Sequence, residues 1–124
     1  MSDAAYGEVA LVTEPISLTR LAAMAADGFG DFVKAVVDIE QRVMTVGGDL
    51  HSDGESALLE RGSRQSNLWG INLFPGQFGQ DGWVEYASLI NIRPGGGNRS
   101  RGVEDALTRQ TVLAVVNELV DGGN

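Results

Sequence analysis

Apolar residues recur along the chain with two periods, and these divide it into helices and strands. Leu18, Leu21, Ala22 and Ala25 fall at the i, i+3, i+4, i+7 spacing of one helix face. Ser17 supplies an N-cap acceptor and Asp27-Gly28 a stop, so a helix is predicted from Ser17 through about Ala26. Val33–Glu40 alternates instead. Val33, Ala35, Val37 and Ile39 would share one face of a strand, and Lys34, Val36, Asp38 and Glu40 the other. Gln41-Arg42 reads as a turn, Val43–Val46 as the returning strand, and Gly47-Gly48 as its break. Val9–Val12 is a short strand ended by Pro15, and Asp53 would cap a short helix, Glu55–Arg61, that Gly62 ends.

Asn67–Phe74 reads as a strand with Trp69, Ile71 and Leu73 on one face. After a glycine-rich loop from Pro75 to Gly82, Trp83–Arg93 alternates again. Val84, Tyr86, Ser88, Ile90 and Ile92 would share one face, and Glu85, Ala87, Leu89, Asn91 and Arg93 the other. Pro94-Gly95-Gly96-Gly97 ends that run. The last helix spans about Ala106–Val120, capped by Asp105 and closed by Gly122-Gly123, with Val112, Val115, Val116 and Leu119 as its buried stripe. Short turns between strands favour antiparallel pairing. The predicted fold is therefore α+β: a small, mainly antiparallel sheet of about four to five strands. It packs against an N-terminal and a C-terminal helix in a single layer on one face.

At 124 residues and 43% hydrophobic, the chain is expected to form a single domain over 1–124, with residues 1–8 as a flexible N-terminal tail. It has no cysteine, which removes disulfides, zinc–thiolate sites and thiol nucleophiles. Met1–Tyr6 lacks the basic and apolar regions of a signal peptide, and no apolar run approaches a membrane span, so a cytoplasmic location is expected. A formal charge of −8 disfavours general nucleic-acid binding.

The charge distribution singles out one segment. Lys34 is the only lysine among 9 Lys+Arg residues, whereas Arg93, Arg99, Arg101 and Arg109 lie close together. Asn91, Arg93, Asn98, Arg99, Ser100 and Arg101 surround a triglycine that lets backbone approach a ligand. Guanidinium forks, amides and free N–H groups suit a phosphate or carboxylate. Asn91, Arg93, Asn98, Arg99 and Arg101 are thus the candidate anion site, for a small anionic ligand such as a nucleotide. The segment matches neither a Walker loop nor a dinucleotide fingerprint, and Glu104 and Asp105 compete for the same donors. Internal pairing of the arginines with the chain's own 17 acidic residues is the alternative.

A second candidate is Asp49, His51 and Asp53, with Glu55, Asp38 and Glu40 nearby. Histidine and carboxylates suit a divalent metal, and His51 is the only side chain with an ordinary pKa near neutrality. It would serve a metal-assisted phosphoester hydrolase as its catalytic residue, although capping explains Asp53 and Glu55 equally well. A third is the aromatic set Trp69, Phe74, Trp83 and Tyr86, suited to stacking on a base or to core packing. No organic cofactor is implied. A non-enzymatic module that pairs with a partner or a second copy through a free strand edge, as a homodimer, is the remaining reading.

Taken together, Val36-Val37-Asp38-Ile39-Glu40, Gly47-Gly48-Asp49-Leu50-His51, Leu68-Trp69-Gly70-Ile71-Asn72-Leu73, Ser88-Leu89-Ile90-Asn91-Ile92-Arg93-Pro94, Gly97-Asn98-Arg99-Ser100-Arg101 and Val103-Glu104-Asp105 resemble a small bacterial family known only as a domain of unknown function. The likeness covers roughly Val33 to Asp105. Members often carry proline directly after the aspartate matching Asp105, where this chain has Ala106. The resemblance implies a complete domain and brings no activity.

Overall fold

The computed structural model describes residues 8–123. The expected tail at 1–8 lies outside them except for Glu8. Five strands form one antiparallel sheet: β1 (Val9–Val12), β3 (Val33–Asp38), β4 (Val43–Gly47), β5 (Leu68–Leu73) and β6 (Val84–Glu85), in the order β1-β4-β3-β5-β6. A second, two-residue parallel ladder joins β2 (Ile16–Ser17) to β7 (Val120–Asp121). Among the described residues, no helix is long and apolar enough to cross a membrane.

The alternation of β3 sorts the sheet into two faces. Val33, Ala35 and Val37, with Met44, Val46, Ile71 and Leu73 beside them, form the main core. Onto it pack α1 (Leu18–Asp27) through Leu21 and Ala25, and α3 (Ala106–Leu119) through Val112, Val115, Val116 and Leu119. Both caps form: Ser17 Oγ accepts from the Arg20 amide at 3.0 Å, and Asp105 Oδ2 from the Thr108 amide at 2.8 Å. The β2–β7 ladder ties the start of α1 to the end of α3, which holds the two helices on one face.

The other face is covered by α2 (His51–Glu60), which starts four residues earlier than the capping pattern predicted. Asp53 Oδ2 accepts the Leu50 amide at 3.2 Å, so the cap acts backwards on the preceding residue. Leu58, fully buried, joins Val36, Val43 and Leu68 in a second cluster, and burying such a side chain contributes about 2–3 kcal/mol. Gly54 permits the close approach: a Cβ there would sit 2.4 Å from Thr45 Oγ1 and 3.0 Å from Val36 Cγ2.

The strand predicted over Trp83–Arg93 is the main departure, because only Val84–Glu85 joins the sheet. Beyond it the chain turns through a 3₁₀ segment, Leu89–Asn91, and side chains replace the missing strand. Asn91 Oδ1 accepts the Gly70 amide at 2.8 Å, and its Nδ2 donates to Gly70 O at 3.0 Å. Arg93 donates to Leu68 O. The apparent alternation in this segment therefore reflects a chain crossing over the β5 edge. Gly70 has no room for more, since a Cβ there would lie 2.5 Å from Ser88 Cβ.

Candidate functional site

The sheet face beneath the start of α2 carries a polar row. Strand register places Lys34 opposite Asn72 and Asn72 opposite Glu85, so three strands present these side chains side by side. Above them lies a cleft of ≈ 650 Å³. Lys34, Asn72 and Glu85 line its floor, Leu50, His51 and Ser52 its helix side, and Ala87–Ile90 with Arg101 the opposite wall.

His51 is buried. Its Nε2 lies 2.8 Å from Ile71 O, a carbonyl that can only accept, so Nε2 carries the proton and Nδ1 holds the free lone pair. Burial pushes its pKa below the ordinary value, and nearby Lys34 adds to that, while the Ile71 carbonyl and the Asn72 side chain pull the other way. The imidazole is thus neutral at pH 7, a proton acceptor beside the first-turn amides of α2. Asn72 Nδ2 donates to Glu85 Oε1 at 2.8 Å, which fixes the amide. Its Oδ1 is buried and without a partner among the described residues. Lys34 Nζ stands 4.9 Å from the Phe29 ring centroid and 5.6 Å from that of Phe32, which steadies the ammonium. Leu50 and Leu89, 58% and 66% exposed, form apolar lips.

The arginine-rich turn divides between internal and outward roles. Asn91 spends its amide on Gly70 and, through Nδ2, on Arg101 O at 2.8 Å. Asn98 is buried, donating to the carbonyls of Asn91, Ser100 and Gly102 and accepting the Glu104 amide at 2.9 Å. Arg93 lies 4.0 Å above the Trp69 ring and donates to the carbonyls of Ser66, Leu68 and Ile90. Backbone carbonyls, not carboxylates, hold it. Arg109 likewise donates to Val103 O at 2.6 Å, and the one ion pair among the described residues joins Arg42 to Glu118.

The turn's free amides meet the chain's own carboxylate. Glu104 Oε2 accepts from the Arg99 and Ser100 amides at 3.0 and 2.8 Å. The Ser100 side chain and these amides hold the Glu104 carboxyl below its usual range. Two guanidinium groups of the cluster then remain at the surface, those of Arg99 and Arg101. Arg101 lines the cleft with His51, and Arg99 does not. Arg101 is aimed by its backbone: its carbonyl accepts both the Ser88 amide and the Asn91 side chain.

Asp49, His51 and Asp53 do not gather: among the described residues no group of three or more His, Cys, Asp or Glu could hold a metal ion. Asp53 is turned to the Leu50 amide, Asp38 accepts the Glu40 and Gln41 amides and the Ser63 hydroxyl, Glu40 accepts from Asn67, and Glu55 from Gln65. None of the four aromatics lines the cleft. Trp69 lies under Arg93, Phe74 against Phe32, Trp83 edge-on to Phe78, and the Tyr86 hydroxyl donates to Arg109 O at 3.4 Å.

The chain matches the family model described as Protein of unknown function (DUF5674) over residues 10–119. The chain belongs to this family. Comparison with curated proteins and with solved structures found no match. The DUF5674 description names no activity, so the chemistry of the cleft rests on its own residues. Lys34, Asn72 and Glu85 carry no motif at sequence level. Their signal in the sequence is polarity within otherwise largely apolar strands, Lys34 in β3 and Asn72 in β5.

Proposed function

We propose that this chain is a binding protein for a small organic anion, a phosphate monoester such as a nucleotide. The cleft between the start of α2 and the Ala87–Ile90 wall is the site. One observation carries the reading: Arg101, the arginine of the cluster that faces the cleft, converges there with Lys34, the only lysine, above a neutral imidazole. In a chain of net charge −8, two cations against the one carboxylate of Glu85 leave this concavity a local positive excess that the rest of the surface opposes. Arg101 supplies a planar fork for two anion oxygens and Lys34 a point charge. The first-turn amides of α2 add donors at the positive end of the helix dipole. Leu50 and Leu89 would hold the apolar part of the ligand. Asn91, Arg93 and Asn98 serve the site by holding the loop that aims Arg101.

Calorimetry at low salt tests this, with inorganic phosphate, ribose 5-phosphate and the nucleoside monophosphates as probes. Arg101→Ala and Lys34→Ala should each weaken binding about tenfold or more, the scale of one charge-assisted contact. Arg99→Ala should leave it unchanged. Absence of binding for every probe, or an equal loss on Arg99→Ala, would refute the assignment.

A further inference from the structure

Glu85 is exposed on the floor of the cleft, where its charge repels any anion. Strand register sets Lys34, Asn72 and Glu85 in a row. Neighbouring strands lie about 4.8 Å apart, so the backbones of Lys34 and Glu85 are separated by roughly 10 Å. Among the described residues neither Lys34 nor Arg101 forms an ion pair with this carboxylate. An anionic pole thus stands two strands away from Lys34 in the same cleft.

The groups around that pole accept hydrogen bonds and lack donors. Asn72 Nδ2 donates to Glu85 Oε1 at 2.8 Å, which fixes the carboxylate and leaves Oε2 without a donor among the described residues. His51 Nε2 is committed to Ile71 O, so Nδ1 offers a lone pair. Asn72 is 7% exposed and its Oδ1 is buried without a partner; the amide cannot turn over to supply a donor without losing Glu85. Side chains from α2, β5 and β6 therefore leave this part of the cleft rich in acceptors. A ligand ammonium would satisfy one of them as a point donor, against the charges of Lys34 and Arg101. Adjacent hydroxyls donate at several points and carry no charge.

We infer that the ligand is a polyol phosphate, a sugar or glycerol ester, whose adjacent hydroxyls donate to Glu85 and His51 Nδ1 while its phosphate lies between Lys34 and Arg101. This rests on the anion site proposed above and names the organic group that the site selects. Glu85 is its specificity determinant: a carboxylate accepts two hydroxyl donors side by side and weakens any phosphate that brings none. Leu50 and Leu89 at the lips remain for a base or other apolar group beyond the polyol.

Calorimetry at low salt compares glycerol 3-phosphate with propyl phosphate, which has the same carbon chain and no hydroxyl. Inorganic phosphate and O-phosphoethanolamine complete the set. Glycerol 3-phosphate should bind about tenfold more tightly than propyl phosphate, the scale of a hydrogen bond to a charged group. Glu85→Gln keeps an oxygen for Asn72 Nδ2 and presents an amide N–H where Oε2 stood. In that variant the gap should shrink to about twofold or less. Inorganic phosphate should bind it at least as tightly as the wild type, because a like charge has gone. An equal loss of every probe in Glu85→Gln would show that the residue only maintains the shape of the cleft, and would overturn the inference. So would equal binding of glycerol 3-phosphate and propyl phosphate by the wild type, or tighter binding of O-phosphoethanolamine than of glycerol 3-phosphate; either result leaves the anion site standing. Failure of all four probes to bind would overturn the anion site and the polyol assignment together.

Discussion

Replacing Asn91 with alanine removes a side chain that stands in for a β-strand. Its amide accepts the Gly70 N–H and donates to the Gly70 and Arg101 carbonyls, and the residue is fully buried. Arg101 O keeps the Ser88 amide and loses little. Gly70 loses both partners on that edge, and each buried backbone group left unpaired costs about 1–3 kcal/mol. Some water will enter the space vacated, so the expected loss is about 3–5 kcal/mol, a large part of the roughly 5–15 kcal/mol that holds a domain together. Urea unfolding followed by circular dichroism measures it as a lower midpoint with unchanged slope. Asn91→Asp is the companion: a carboxylate can still accept from Gly70 N but faces two carbonyl oxygens, so it should not rescue. A loss below about 1 kcal/mol in Asn91→Ala would refute the strand-surrogate role and return Asn91 to the list of free ligand-binding groups.

Two further predictions concern α2. Gly54→Ala gains up to about 1 kcal/mol in helix propensity. It also forces a Cβ to within 2.4 Å of a buried, β-branched Thr45, an overpacking cost of about 1–3 kcal/mol. The variant should therefore unfold at lower urea than the wild type, and equal or greater stability would show that α2 can lift from the sheet freely. For His51 the folded pKa lies below the unfolded one, so the unfolded chain binds more protons in that window. The stabilisation is complete above about pH 6.5 and is lost as pH falls toward the folded value. The wild-type urea midpoint should fall between about pH 7 and pH 5.5 at low salt without added anion, and His51→Gln should flatten this dependence.

Local rules made much of the fold legible. Val33–Asp38, Val43–Gly47 and Leu68–Leu73 alternate because one face of each meets the α1–α3 core. Ser17 and Asp105 announce their helices because capping is a contact between residues three apart. The Trp83–Arg93 segment departs from its predicted strand for a physical reason. Its alternation is real, but Asn91 satisfies Gly70 with a side chain, and period alone does not separate a backbone ladder from an amide that imitates one. The β2–β7 ladder is two residues long and joins distant segments, so no local pattern marks it.

The site was legible in chemistry and not in place. The Asn91–Arg101 turn and His51 stood out by residue type. That Arg101 rather than Arg99 shares a cleft with His51 depends on the fold of the turn, where Asn98 and Glu104 consume the donors between them. The Lys34–Asn72–Glu85 row depends on the register of three strands, and a slip of one residue would turn each side chain to the opposite face.

The short β6 leaves most of the β5 edge without a neighbouring strand, and an uncovered edge is the geometry by which sheets of separate molecules join into larger aggregates. Here Leu68 O is held by Arg93, and Gly70 N and O by Asn91. These rungs offer nothing to an incoming strand, and the loop that aims Arg101 is also a plug against association. Substitutions that loosen it should raise the tendency to aggregate before they unfold the core, so solubility under mild stress reports on this edge independently of any ligand.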